Sequence, residues 1–212
     1  QVYQLARKNL EIVVDMCSSH AAANDLLSDL MNARGDLFGH AVAVSMLSSM
    51  IARGMGWTSS EKLFIVSMAG LFHDIGKKDL HPDLLEKKVE EMEEEDRAQY
   101  EEHPRLGSEL IKQLEFFPDG VDQIVLHHHE CVDGSGFPNG FGRVKIHPVA
   151  KIINLADQFV HTNARLHEKR NNVRPADVID VLEDVKAEFE GEHFNALERV
   201  FQLPSHRKRG VS

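Results

Sequence analysis

Residues 58–77 read TSSEKLFIVSMAGLFHDIGK. Thr58 and Glu61 stand at capping-box spacing, so a helix is expected to start here and to run through Leu63, Val66 and Phe72. Gly76 is its expected C-terminal stop. The unusual feature is the end of this apolar stretch, where His73 and Asp74 stand side by side. Burying a carboxylate without a partner is expensive. A divalent cation removes that cost, because a carboxylate can bridge two cations while the neighbouring imidazole binds one.

Outward from this segment the helical period continues and little alternates like a strand. Leu5, Leu10, Ile12, Val13, Met16, Leu26, Leu27, Leu30 and Met31 predict an N-terminal helical segment over 1–34, a linker or dimerisation element, broken at Gly35. A second helix is expected from about Asp36 to Met55, and others after Pro104, Asp119, Pro148 and Pro175. The three prolines sit where a first helical turn should be, which suits their fixed φ and missing N–H. The expected fold is an all-α bundle over 35–204, followed by a basic tail over 205–212.

Further His and Asp residues recur on these helices. With about 100° per residue, Val121, Ile124 and Val125 define an inward face on which His128 is central and His129 lies to one side. On the same wheel His127 is expected to point to solvent. Consecutive buried histidines are awkward as core residues, since each ring needs two hydrogen-bond partners, but they make sense as metal ligands. Asp157 falls at the edge of the buried stripe of Val149, Ile152, Ile153 and Ala156. Asp36 and His40 are four apart and share a helix face. His103 precedes Pro104 and is expected in extended geometry at the mouth of a helix. Ligands drawn from several separate helices are how bundles build two-metal sites. His and carboxylate donors without Cys suit iron, manganese or nickel as well as zinc.

Composition narrows the class. The chain has 212 residues and a formal charge of −10, which argues against a duplex nucleic-acid binder. Much of the acidity lies between Glu86 and Glu102, with nine acidic and three basic residues, the pattern of a solvated helix face. Two cysteines, Cys17 and Cys131, cannot build a disulfide scaffold, so a reducing compartment, the cytoplasm, is expected. No apolar run reaches the roughly 20 residues that span a bilayer. The chain opens on Gln1 without a signal-peptide pattern and reads as a piece of a longer protein, with a regulatory domain expected upstream.

Three motifs occur in order: His73-Asp74-Ile75-Gly76-Lys77, then His103-Pro104-Arg105-Leu106-Gly107, then His128-His129-Glu130 through Gly134-Ser135-Gly136-Phe137-Pro138. With them the chain from about Asp36 to Asp157 resembles the HD-GYP family, the HD-domain phosphohydrolases that hydrolyse cyclic di-GMP in bacterial signalling. The resemblance implies His40, His73, Asp74 and Asp157 as ligands of one cation. Asp74 would bridge to a second, held also by His103, His128 and His129. Asp36 matches a position at which some members offer a carboxylate to a third, and His81 lies near enough to the motif to be considered as an extra ligand. Lys77 matches a lysine that contacts phosphate. The loop carrying Asp133, Gly134, Gly136, Phe137 and Pro138 matches a lip that borders the substrate and docks GGDEF-type diguanylate cyclases. Two departures stand out. Phe137 replaces the motif tyrosine, keeping the ring but losing the hydroxyl. Beyond Asp157 the usual continuation is altered, and Arg165 is a displaced stand-in for a substrate-binding arginine.

The activity implied is hydrolysis of cyclic di-GMP to linear pGpG or GMP, by a water shared between two cations about 4 Å apart and attacking in line with the P–O bond. The expected metals are iron or manganese first, then nickel or zinc. Two alternatives use the same residues: a domain that binds cyclic di-GMP or a cyclase without turnover, and a phosphohydrolase of another cyclic dinucleotide.

Overall fold

The computed structural model describes residues 37–203; the N-terminal segment, Asp36 and the basic tail lie outside them. The described chain is all-α, as expected. In order it forms α1 (Leu37–Gly54), α2 (Ser60–Phe72), α3 (Pro82–Glu86), α4 (Glu94–Tyr100), α5 (His103–Lys112), α6 (Val121–Leu126), α7 (Pro148–Lys169), α8 (Pro175–Leu182) and α9 (Gly191–Val200). Short 3₁₀ turns lie at Ile75–Asp79, Val89–Glu91 and Glu183–Glu188. Among the described residues the one β pairing is an isolated bridge between Asp133 and Gly142. No helix among them is long and apolar enough to cross a membrane.

α1 is the central element, packed along α2, α7 and α9. Its Leu47 and Ile51 meet Val66 and Ala69 of α2, Ile152, Ile153 and Phe159 of α7, and Phe194 and Leu197 of α9 in one buried apolar cluster. Small residues set how closely α1 and α2 approach. A Cβ on Gly70 would lie 2.8 Å from Ser45 Cα. Ser45 Oγ donates to the Ser67 carbonyl at 2.8 Å, and Ser49 Oγ lies 2.7 Å from Ser67 Oγ. Those hydroxyls are buried, and these hydrogen bonds offset the desolvation cost of placing them there. The consequence for function is positional: the start of α1 comes to lie against the end of α2.

A second close approach sets the other half of the arrangement. The 3₁₀ turn after α2 presses on the start of α5, and Gly76 lies so near that a Cβ there would collide with the His103 carbonyl oxygen. Gly76 therefore serves contact rather than termination. α2 already ends at Phe72, and Asp74 (φ −95°, ψ 8°) leads directly into the 3₁₀ turn.

Two further local expectations are corrected, and one helix is added. The cap of α2 is Ser59, not Thr58; its side chain accepts from the Lys62 N–H at 3.4 Å. His103 is helical rather than extended, because Glu102 is already in the right-handed helical region and its carbonyl accepts the Leu106 N–H. That hydrogen bond, together with one from the His103 ring to the Tyr100 carbonyl at 2.8 Å, outweighs the steric bias against helix before proline. Finally, α9 carries Phe194, Leu197 and Val200 at helical spacing into the core, a helix beyond those expected from the sequence. The acidic run behaves as a solvated face, with Met92 and Tyr100 as its buried anchors.

Gly76→Ala should lower the unfolding free energy by about 1–3 kcal/mol, the usual cost of forcing extra atoms into a packed contact. Gly191→Ala, where nothing lies within 4 Å, should change it by less than about 0.5 kcal/mol. Urea denaturation of the two variants separates these outcomes.

Candidate metal centre

His40 comes from the first turn of α1, His73 and Asp74 from the end of α2, and His103 from the start of α5. His128 and His129 come just after α6, and Asp157 lies in the middle of α7. All seven meet. The Asp74 carboxylate sits between two sets of imidazoles. Its Oδ1 is 3.3 Å from His103 Nε2 and 3.7 Å from His128 Nε2. Its Oδ2 is 3.3 Å from His73 Nε2 and 3.9 Å from His40 Nε2. Asp157 Oδ1 lies 3.1 Å from His40 Nε2 and 3.6 Å from His73 Nε2. His129 joins the Asp74, His103 and His128 set, with all four donor atoms within 4.8 Å of one another.

Why the rings point this way can be traced to helix ends. His73 Nδ1 bonds the Gly70 carbonyl at 2.7 Å, His103 Nδ1 the Tyr100 carbonyl at 2.8 Å, and His128 Nδ1 the Val125 carbonyl at 2.6 Å. Each carbonyl belongs to the last turn of a helix (α2, α4 or α6), where backbone acceptors lack an intrahelical partner. A carbonyl only accepts, so each Nδ1 carries hydrogen. In the neutral ring Nε2 then carries a lone pair. Three helix C-termini also bring their partial negative charge to this point, which favours a cation.

The Nε2 atoms face one another. His103 and His128 Nε2 are 3.3 Å apart, and His40 and His73 Nε2 are 3.4 Å apart. Asp74 Oδ1, Asp157 Oδ1 and His129 Nε2 are buried with no hydrogen-bond partner. Buried acceptors aimed at acceptors are repulsive unless positive charge lies between them. Nitrogen and oxygen donors without a thiolate, with rings oriented through their far nitrogens, fit a divalent transition metal.

Burial and charge set the titration of the metal-free chain. Burial disfavours a proton on His73, but Asp74 and Asp157 outweigh it and push its pKa up to about 10. Burial pushes His128 down to about 4 and holds His129 well below its ordinary value. Asp74 stays well below the carboxylate range despite burial, because His73 and Lys77 are beside it; Asp157 does so because of His161, His40 and His73. The His73 proton therefore favours folding below its ordinary pKa of 6.5, and that benefit is lost as pH rises toward 10. For His128 a cost appears as pH falls from 6.5 toward 4.

Other candidates fall at varying distance. Lys77 Nζ is 2.6 Å from Asp74 Oδ2 and 5.2 Å from the Tyr100 ring centroid, so it stands at the rim of the cluster. Asp74 raises its pKa against the opposing effect of burial. His81 is exposed and caps α3, accepting from the Asp83 N–H. Arg165 is exposed, about 12 Å along α7 from Asp157. His127 is not a ligand, but it does not face solvent. α6 ends at Leu126, so the helical wheel does not extend to His127. His127 is only 7 % exposed, and its ring accepts from the His147 N–H at 3.2 Å and meets the edge of Phe141.

His161 is not among the residues that the sequence nominates. It stands four residues after Asp157 on α7, with its Nε2 3.4 Å from Asp157 Oδ1 and its ring 4.7 Å from that of His40. The i, i+4 spacing that singles out Asp36 and His40 also marks this pair.

The loop from Glu130 folds onto the centre. The buried Glu130 carboxylate accepts from the Asn139 and Phe141 N–H groups at 2.8 and 2.7 Å. Gly134 and Gly140 occupy the left-handed region that favours glycine (φ 87° and 64°). Asp133 is exposed, whereas the Phe137 ring lies against His129.

Residues 25–191 match the family model described as HD domain. The cyclic di-GMP phosphodiesterase response regulator RpfG of Xanthomonas campestris is 36% identical over 118 residues, 55% of this chain and 30% of that protein. The 3′3′-cGAMP-specific phosphodiesterase 3 of Vibrio cholerae is 30% identical over 121 residues, 57% of this chain and 26% of that protein. The chain thus spans roughly a third or less of the length of these relatives. Among solved structures, Bd1817, an HDG"Y"P protein from Bdellovibrio bacteriovorus, shares the fold with a TM-score of 0.74 at 24% identity, covering 94% of this chain and 63% of that one.

Ring ¹⁵N NMR of the metal-free protein at neutral pH should show His73 as imidazolium and His128 as the neutral, Nδ1-protonated tautomer. Adding zinc should convert His73 to the same neutral tautomer with release of its proton. A neutral His73 before metal is added would contradict the assignment.

Proposed function

The chain belongs to the HD-domain family, and on that footing we propose that it hydrolyses cyclic di-GMP to linear pGpG or GMP. The observation that carries this reading is the Asp74 carboxylate, with one oxygen toward His103 and His128 and the other toward His73 and His40. Two divalent cations would be held here, one by His40, His73, Asp74 and Asp157 and the other by Asp74, His103, His128 and His129. When bound they supply a water of lowered pKa and neutralise charge on the phosphate. Iron or manganese is the proposed native pair, ahead of nickel or zinc.

The chain's own groups do the rest. Backbone carbonyls hold three of the imidazoles in the tautomer that leaves Nε2 free to bind. Lys77, protonated beside Asp74, presents a fixed positive charge for a phosphate oxygen. Its ammonium offers three donors, of which the Asp74 contact uses one. In a chain of net charge −10, anionic substrate is drawn by this local field rather than by the surface as a whole. Arg165 is a substrate contact only if the dinucleotide extends along α7.

A second substrate reading, a hybrid cyclic dinucleotide, is favoured by the similarity to a relative named for 3′3′-cGAMP. An additional cation position is supported by His161, whose donor atom groups with those of His40 and Asp157 within 4.8 Å; Asp36 would add a carboxylate there. The loop through Asp133, Gly134, Gly136, Phe137 and Pro138 is the proposed docking edge for GGDEF-type cyclases, with Val144 almost fully exposed near its end. Residues 1–34 would connect this domain, 35–204, to a regulatory domain, and the cytoplasm is the proposed location.

Purified protein loaded with manganese or ferrous iron should convert cyclic di-GMP to linear dinucleotide or GMP, read by chromatography beside 3′3′-cGAMP. Asp74→Ala should abolish turnover and remove both cations together by elemental analysis, because the bridging ligand serves both. His161→Ala should leave two cations and remove only a third. Asp74→Ala protein that retains two metals per chain would refute the bridging role.

A further inference from the structure

Of the imidazoles grouped with Asp74, His103 and His128 are each held by a hydrogen bond from Nδ1 to a helix-end carbonyl. His129 is different. Its ring is buried, its Nε2 lacks any hydrogen-bond partner, and no ring hydrogen bond to it is present among the described residues. An imidazole with no such tether can turn about its side-chain bonds, which spoils its aim at a cation. Phe137 lies stacked against it, with ring centroids 4.5 Å apart and an interplanar angle of 28°, while the His128 and His103 rings meet it tilted or edge-on at 4.1 and 5.0 Å. The same phenyl ring meets the His103 ring edge-on, with centroids 6.1 Å apart.

The backbone around Phe137 is built to deliver that stack. The Phe137 N–H donates to the His129 carbonyl at 3.1 Å, so the residue that supplies the aromatic face is also tied to the backbone of its target. Gly136 lets the loop lie flat there, since a Cβ would strike the His129 carbonyl and the Cys131 N–H. On the far side, Glu130 takes the Asn139 and Phe141 N–H groups and closes the loop behind the ring.

We infer that Phe137 is a positioning residue that holds the His129 imidazole in its metal-facing orientation by stacking, in place of the hydrogen bond that holds the neighbouring rings. Stacking uses the ring face, so it does not need a phenol hydroxyl. This inference rests on the proposed metal centre and adds to it a role for the loop: the loop completes one half of the cation site as well as bordering it.

The test is metal affinity. Manganese or zinc is titrated into the protein against a competing chelator, with bound equivalents counted by elemental analysis, for the wild type, Phe137→Tyr, Phe137→Leu and Phe137→Ala. Phe137→Tyr should bind like the wild type. Phe137→Ala should hold one of two equivalents about tenfold more weakly, the lower end of the usual loss when a group orienting a metal ligand is removed, and leave the other unchanged. In a His129→Ala background the same substitution should add nothing, since the ring it orients is gone. Phe137→Leu keeps bulk without a flat face and should weaken the same equivalent; it carries the test if Phe137→Ala does not fold, as judged by circular dichroism. Two wild-type-strength equivalents in the folded Ala and Leu variants would overturn the role of Phe137 while leaving the metal centre intact. A wild-type protein that binds no cation would instead overturn the metal reading, and this inference with it.

Discussion

Lone pairs crowd together around Asp74, and the architecture of the whole domain answers to that crowding. Imidazole Nε2 atoms face one another at 3.3 and 3.4 Å, and carboxylate oxygens fill the spaces between them. The rings of His73, His103 and His128 are locked with their hydrogen on the far side, so none can turn a donor inward without giving up a helix-end carbonyl. Positive charge is the remaining way to satisfy these atoms. In the metal-free chain a proton on His73, held by Asp74 and Asp157, takes part of that role, whereas burial keeps His128 neutral a few ångströms away.

The packing of the bundle delivers this arrangement. The serine and glycine seam between α1 and α2 brings His40 to His73, and the Gly76 contact brings His103 to Asp74. Neither contact is large or apolar. Both are close backbone approaches that larger residues would prevent, and they set distances that a cation cluster needs to within about half an ångström. The large apolar residues of α1, α7 and α9 stabilise the fold without specifying that precision.

The resemblance implies a tyrosine where this chain has Phe137. Stacking needs no hydroxyl: the aromatic face lies on the His129 ring, which has no tether of its own. The loop is therefore coupled to the centre through stacking and through Glu130, a carboxylate placed immediately after the paired histidines. A rearrangement of the loop would displace the Phe137 ring from His129 and the Asn139 and Phe141 N–H groups from Glu130.

Helix content, the order of most elements and the candidate ligands are legible in the sequence, because periodicity is local and because His and Asp among apolar neighbours are costly without a cation. Caps are legible to within a residue: Ser59 rather than Thr58 closes α2, since both side chains can accept a backbone hydrogen. The helical wheel misplaces His127 because it assumes a helix, and α6 stops at Leu126. His161 shares a face with Asp157 but carries meaning only once His40, more than a hundred residues earlier, lies beside it. Residue order alone thus dictates which side chains have to find a cation. Packing in three dimensions settles which imidazoles face each other, that Lys77 pairs with Asp74 and that Phe137 covers His129. Those relations, apart from the three-residue step from Asp74 to Lys77, join residues whose separation along the chain leaves no local pattern to read.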